Sequence, residues 1–333
     1  MRGTRVVFRG PGEVCLEEFE AGEPGGGEVL VETLYTAISP GTETAFLLGL
    51  PNTPRRYPMY PGYSNVGVVV SGPGFREGEL VASPSPHASH VVVRPEDAVR
   101  VPDGVKPEHA AFFNLISIAL QGVRRAQLEI GESVVVLGLG VVGQLALQLS
   151  LLSGAMPVIG VDLYDYRCRT AVEVGADYAV NPSKEDVEAV VRDATDGRGA
   201  DVVIEATGNP EAIPLALRLA AEYGRVIILG SPRGATREVD FYTYVHRRGL
   251  TVIGAHNSLR PRVDSCKGWR TAREDWVLAL KLLSRGRLDV GRLISAKLSY
   301  REAPRAYRML IEEKDRTIGV VLDWRGGGGE GQG

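Results

Sequence analysis

Cysteine is scarce. The 333 residues hold three, Cys15, Cys168 and Cys266, spaced so widely that no CxxC pair, thiolate zinc site or disulfide framework can be read from them. Long apolar runs are missing too, since none approaches the roughly 20 residues that cross a bilayer. The opening stretch MRGTRVVFRG has neither the apolar core nor the small-residue cleavage site of a secretory leader, so a reducing, cytoplasmic setting is expected. Nor is there a basic excess. A formal net charge of −3 argues against nucleic acid or an anionic membrane as the main partner, because both require a positive surface. What is present is ordinary globular composition, 44% hydrophobic and 24% charged, which excludes disorder of the whole chain and leaves a small molecule as the expected partner.

Two kinds of pattern divide the chain. Up to about residue 112, short β-type runs at 5–8, 28–33, 66–71, 79–82 and 90–93 alternate with Gly/Pro turns, which predicts a barrel-like β module. From about residue 115, apolar strands alternate with amphipathic helices. The strands are predicted at 133–137, 156–161, 202–205, 226–229 and 251–253, and the helices at 142–153, 166–174, 184–195, 211–221 and 241–247. This alternation makes parallel βαβ units and hence a doubly wound α/β sheet. Two more helices, 274–285 and 301–312, and a closing strand, 319–323, suggest a return to the first module. The glycine-rich end, 326–333, has nothing to bury and reads as a disordered tail.

The strand 134–137 runs straight into Gly138-Leu139-Gly140-Val141-Val142-Gly143, and a helix follows. In that context each glycine has a mechanical role. The first permits the tight turn, the second lets backbone approach a pyrophosphate, and the third lets helix and strand pack closely. The phosphates then meet the free N–H groups at the helix start. The second strand ends at Asp162, near the spacing expected of the carboxylate that binds the adenosine ribose. A carboxylate there accepts the ribose hydroxyls and repels a 2′-phosphate, which favours NAD over NADP. Arg167 opposes this where it pairs with a 2′-phosphate, and leaves it intact where it lies along the ribose edge or in solvent.

The order of a β module, GLGVVG, Asp162, DVVIEATGNP, GRVIILGSP and GLTVIGAHNS resembles that of the medium-chain dehydrogenase/reductase superfamily over residues 5 to 324. The resemblance implies a GroES-like β domain of residues 1–114 and 258–325, a Rossmann domain of residues 115–257, and a cleft between them. It also implies roles at matching positions. Thr207 follows the fourth strand and Leu229, Gly230 and Ser231 follow the fifth, where the family approaches the adenosine side and the nicotinamide. His256 and Asn257 match the family's backbone clamp on the carboxamide. Ser117 falls where a small polar residue sits beside the nicotinamide, and Ser39 is placed with the cofactor-side residues.

The departures are as informative. Zinc-dependent members hold their catalytic metal with a cysteine, a histidine from a Gly-His-Glu stretch and a later cysteine or glutamate. The corresponding stretches here are Ile38-Ser39-Pro40-Gly41-Thr42-Glu43, Pro61-Gly62-Tyr63-Ser64 and Phe112-Phe113-Asn114. Serine replaces the cysteine, and Tyr63 and Ser64 replace the histidine and glutamate. A hydroxyl and a phenol cannot supply the thiolate and imidazole that Zn²⁺ prefers, so neither a catalytic nor a structural metal is expected. The SPGTE and PGYS stretches look like those of a zinc-lacking branch that includes bacteriochlorophyllide dehydrogenase and sugar or cyclitol oxidoreductases.

Without zinc, a side chain must handle the proton that hydride transfer leaves behind. Tyr63 is one candidate, unless it only fills the volume of the metal. Glu43 is another, in what reads as an irregular Ser-Pro-Gly-Thr-Glu loop, and its alternative is to accept backbone N–H groups. Thr42 could pass a proton, and His256 is a third base. His87 and His90 form an HxxH that sits on a strand, where residues three apart face opposite ways and do not share a metal. Lys267 and Trp269 lie in an irregular segment that either covers a substrate or anchors packing. The expected function is NAD-dependent, zinc-independent oxidation of a secondary alcohol on a polyol, sugar or cyclitol by a homo-oligomer, dimer or tetramer. An NAD(P)H-dependent enone or quinone reductase and a catalytically inactive NAD-binding protein are the alternatives.

Overall fold

The computed structural model describes residues 1–326. Apart from Gly326, the expected tail at 326–333 lies outside the described residues. The chain forms two units, Met1–Leu115 together with the chain from Arg273 onward, and Ile116–Ala272. Among the described residues no helix is long and apolar enough to cross a membrane.

The strands, in chain order, are β1 (Arg2–Gly10), β2 (Glu13–Glu20), β3 (Val29–Ala37), β4 (Asn65–Ser71), β5 (Leu80–Ser83), β6 (His90–Val93) and β7 (Val99–Arg100). The second unit contributes β8 (Val134–Leu137), β9 (Val158–Val161), β10 (Tyr178–Val180), β11 (Ala200–Glu205), β12 (Ala220–Ile228) and β13 (Thr251–Gly254), and the returning chain adds β14 (Ile294–Ser299) and β15 (Gly319–Asp323). The helices are α1 (Pro40–Leu47), α2 (Pro107–Ala110), α3 (Phe113–Ala126), α4 (Val141–Leu152), α5 (Asp165–Glu173), α6 (Val187–Ala194), α7 (Ile213–Leu219), α8 (Ala272–Ser284) and α9 (Ala303–Glu312).

The second unit is the expected Rossmann sheet, six parallel strands in the order β10-β9-β8-β11-β12-β13. β8 and β9 are buried at every position, as strands covered on both faces must be. The order reverses between β8 and β11, so their carboxyl ends open the crevice where ligands of such sheets bind. The first unit holds a seven-strand sheet on the path β14-β15-β3-β4-β5-β7, with β6 beside β3, and a separate β1-β2 ribbon. Here the pairs are antiparallel except β14 with β15.

Several elements differ from expectation for identifiable reasons. The SPGTE stretch opens α1 rather than an irregular loop: Pro40 takes the first helical position, where its missing N–H costs nothing. The helix expected over 211–221 stops at Leu219, because Ala220 already pairs with Ala200 in the sheet. The 241–247 helix shrinks to a π turn, Tyr242–His246. β2 was hidden by its acidic sequence EVCLEEFE, which pairs along β1 and stays partly exposed. Residues 258–272 fall in the second unit rather than with the returning chain, since Arg260 donates to the Ser117 carbonyl and Trp269 packs on Arg125.

In the first unit's core, α9 buries Ala303, Ala306, Tyr307 and Leu310 at helical spacing, and the Tyr307 ring meets Phe8 edge-on with centroids 5.0 Å apart. A carboxylate sits in this apolar surrounding. Glu43 is 1% exposed, His87 0% and Tyr307 1%. Glu43 Oε1 accepts the Ser39 N–H at 2.8 Å, while Oε2 accepts His87 Nε2–H at 2.9 Å and the Tyr307 hydroxyl at 2.5 Å. A carboxylate can only be buried if its lone pairs are met in this way.

Burial, then the neighbouring Glu43 and Tyr63, hold the Tyr307 phenol well above its ordinary pKa of 10. The unfolded chain therefore loses this proton first. Tyr307 contributes stability that is complete below about pH 10 and declines above it by about 1.4 kcal/mol per pH unit. Tyr307→Phe should lower stability at neutral pH but flatten the alkaline decline by that increment. Urea unfolding between pH 9 and 11 reads the slope, and equal slopes in the two proteins would contradict the assignment.

Candidate functional site

The glycine turn is built as its spacing implies. Gly138 has φ +87°, and a Cβ on it would stand 2.7 Å from Thr207 Cγ2. A Cβ on Gly143 would overlap the Gly138 carbonyl oxygen at 1.7 Å, so only glycine lets α4 start this close to the turn. Gly140 faces open space, with nothing within 4 Å of its Cβ position. The first N–H bonded within α4 is that of Gln144, to the Gly140 carbonyl at 2.9 Å. The N–H groups of Val141, Val142 and Gly143 thus lack partners inside the helix, the arrangement that attracts a phosphate. The Leu139 side chain turns inward, where a Cβ on Gly160 would touch it at 3.0 Å.

Asp162 follows β9. Its Oδ2 accepts the Leu139 N–H at 2.7 Å and its Oδ1 the Tyr164 N–H at 3.1 Å, so the carboxylate holds the glycine turn against the end of β9. Arg167 lies 3.6 Å from Oδ2, placing it on the carboxylate rather than in solvent. Its charge softens the repulsion Asp162 offers to a 2′-phosphate.

Glu205, which the sequence reading passed over, organises the end of β11. Its Oε1 accepts the Thr207 N–H at 2.6 Å and the Thr207 hydroxyl, and its carbonyl oxygen accepts the N–H groups of Leu229 and Gly230 at 2.9 and 2.8 Å. Burial raises its pKa, and Oε2 has no hydrogen-bond partner. The one sequence signal was an acid ending the apolar run VVIE. Ser231 is half-buried beyond the same turn, and its carbonyl oxygen would lie 2.9 Å from a Cβ on Gly208.

On α3 the buried Ser117 hydroxyl and both amide atoms of Gln121, one helical turn on, have no partners, as at a site completed by a ligand or water. His256 is exposed, and its Nδ1 meets the Ser258 hydroxyl at 2.7 Å; it caps the short turn Asn257–Leu259. The exposed Asn257 begins that turn.

In the first unit, Ser39 is buried immediately before α1, and Thr42 is half-buried in the helix's first turn. Glu43 faces the core and is engaged by three donors, one of them the backbone N–H of Ser39. Tyr63 is half-buried, and its carbonyl accepts the Asn114 amide at 2.7 Å. Gly62, at φ +99°, lets the Tyr63 stretch approach His87: a Cβ there would lie 2.6 Å from His87 N and 2.8 Å from its ring. His87 and His90 do not act together, since His87 Nε2 is held by Glu43 while His90 Nδ1 meets the Ser89 hydroxyl at 3.1 Å.

These residues do not fit a zinc ion. The Ser64 hydroxyl donates to the Ala111 carbonyl at 2.5 Å, and the Asn114 amide oxygen accepts the Trp276 indole N–H at 2.8 Å. None of the three ligand stretches offers a thiolate or imidazole, and the carboxylate of Glu43 is engaged. Among the described residues no three His, Cys, Asp or Glu side chains lie together as a metal would need. A dinucleotide fits better, because the open cradle at Gly140 and the orphaned Ser117 hydroxyl both await a partner.

Comparison with known proteins agrees with this architecture. A family model described as zinc-binding dehydrogenase matches residues 141–267. The chain is 30% identical over 226 residues to D-guloside 3-dehydrogenase of Shigella flexneri, a match covering 67% of this chain and 64% of the relative's length. It is 29% identical over 318 residues to L-threonine 3-dehydrogenase of Pyrococcus furiosus, covering 85% and 87%. The crystal structure of galactitol-1-phosphate dehydrogenase from Escherichia coli superposes with a TM-score of 0.83 at 21% identity, over 96% of this chain and 99% of that one. Motif order, the geometry of the glycine turn and these likenesses together make the chain a member of the medium-chain dehydrogenase/reductase family.

Proposed function

We propose that the protein transfers a hydride between NAD(H) and a secondary alcohol or ketone, on a polyol, sugar or cyclitol, without catalytic zinc. The observation that carries this reading is the glycine turn, whose open face at Gly140 adjoins the N–H groups of α4 and the Asp162 carboxylate. Relatives named for dehydrogenation of a guloside and of threonine, both with secondary alcohols, support the substrate class. When bound, the nicotinamide supplies the hydride acceptor or donor.

The chain's own residues then divide the work. The N–H groups opening α4 bind the pyrophosphate, Asp162 accepts the ribose hydroxyls, and Ser117 lies at the nicotinamide. With the ligand stretches unsuited to zinc, Tyr63 handles the proton: as the phenolate it takes the hydroxyl proton on alcohol oxidation, becoming the phenol, and as the phenol its O–H donates to the carbonyl oxygen on reduction, returning to the phenolate. Asn114 fixes the backbone of that tyrosine, and His87, held by Glu43, lies against Gly62 just before it.

A panel of polyols, sugars and cyclitols with each coenzyme, followed at the reduced-nicotinamide absorbance band, tests the reading. Turnover should be faster with NAD than with NADP. On the substrate found, Tyr63→Phe should lower kcat by about 10² to 10⁴ with coenzyme affinity nearly unchanged. Wild-type kcat in that variant, or a preference for NADP, would contradict the assignment of Tyr63 or of Asp162 respectively.

The same proposal includes a homo-oligomer. β13 is the last strand of its sheet, with Thr251, Val252 and Gly254 exposed, and an uncovered edge of this kind pairs readily with a second copy. Light scattering at micromolar concentration should give at least twice the 35.8 kDa of the chain, and a monomer mass would overturn this element.

A further inference from the structure

The segment around Lys267 and Trp269, unassigned by the reading above, forms a tight hairpin. Cys266 and Trp269 exchange backbone hydrogen bonds of 3.0 and 2.9 Å, and Gly268 between them has φ +76°. The hairpin is pinned to the last turn of α3. The Arg125 guanidinium lies 4.6 Å from the centroid of the Trp269 ring, and a Cβ on Gly268 would come within 3.2 Å of Arg125 Nη1. Between hairpin and helix lies an open pocket of about 380 Å³, lined by Arg124, Gln127, Leu128, Lys267, Trp269 and Arg270.

Three of these side chains are cations and none is acidic, in a chain whose net charge is −3. The helix explains part of this. Arg124 and Arg125 occupy the final turn of α3, where the negative end of the helix dipole favours positive charge. Lys267 and Arg270 have no such explanation. They arrive from the hairpin, and neither makes an ion pair or side-chain hydrogen bond among the described residues. The like charges of Lys267 and Arg270 repel each other, and an anion entering the pocket relieves both at once. The pocket is also distinct from the glycine turn. Ser117 and Arg125 are separated by two turns of α3, roughly 12 Å along its axis, and the chain then enters β8 at the end opposite Gly138.

We propose that this pocket binds a phosphate dianion, free or as the monoester of a small polyol. Lys267 and Arg270 supply the charge-assisted donors, and the Gln127 amide and the Trp269 indole wall contact the remainder of the ligand. The volume exceeds what a bare phosphate needs and falls at the small end of ligand pockets. The inference does not rest on hydride transfer, and its test is a binding measurement.

Isothermal titration of the full chain, in phosphate-free buffer at fixed ionic strength, would use inorganic phosphate, a hexitol phosphate and the unphosphorylated hexitol. Both phosphates should bind and the bare hexitol should not. Tighter binding of the ester identifies a phosphorylated polyol as ligand, and equal affinities identify free phosphate. Lys267→Ala with Arg270→Ala should weaken binding at least about tenfold, from the loss of charge-assisted hydrogen bonds. Lys267→Arg should retain it, and NADH binding measured by fluorescence should be unchanged in every variant. No heat from either phosphate at millimolar concentration, or unaltered affinity in the folded double variant, would overturn the proposal. Failure of NADH binding with phosphate binding intact would instead count against the coenzyme reading alone.

Discussion

Glu43 accepts hydrogen bonds from residues 4, 44 and 264 positions away in the chain, and the first unit is arranged around that convergence. Each donor fixes a different segment: the Ser39 N–H fixes the entry to α1, His87 the stretch before β6, and Tyr307 the face of α9. Removing any one would leave part of a buried carboxylate unsatisfied, a loss of about 1–3 kcal/mol or more for a charged group. Because the His87 ring lies against Gly62, the same carboxylate also settles where Tyr63 begins.

The second unit uses the same device twice. Asp162 and Glu205 end or follow strands of the parallel sheet, and each accepts backbone N–H groups from the turn beside it. Asp162 ties the glycine turn to β9, while Glu205 ties Thr207 to β11 and through its carbonyl gathers the turn after β12. Both carboxylates lie at the carboxyl ends of the sheet, where a dinucleotide binds in folds of this type. Rigid turns there keep the α4 N–H groups and the Gly140 surface in place before a ligand arrives, which lowers the ordering cost of binding.

How much of this could be read from the chain followed the range of the interactions. The glycine turn was legible because each glycine answers to a neighbour close in sequence, as Gly143 does to the Gly138 carbonyl. The doubly wound sheet was legible from strand and helix periodicity. That Ser39, Tyr63 and Ser64 are not cysteine, histidine and glutamate is legible in the sequence alone. The union of Glu43 with His87 and Tyr307 could not, since no local pattern links residues so distant, and Tyr307 reads as one more apolar position of an amphipathic helix. The α1 helix was missed because Pro40 and Gly41 suggest a break, whereas proline at a first helical position starts one. Glu205 was missed because its partners are backbone groups brought together only by the fold.

Hydride transfer without a metal is tested most directly by pairing metal analysis with turnover in one sample. Purified protein is dialysed against a chelator, assayed for zinc by elemental analysis, and then assayed for coenzyme reduction on its polyol, sugar or cyclitol substrate. The proposed zinc-independent hydride transfer requires turnover to persist undiminished with far less than one zinc per chain. Stoichiometric zinc that survives dialysis, or activity that disappears with the chelator and returns when zinc is added, would contradict it.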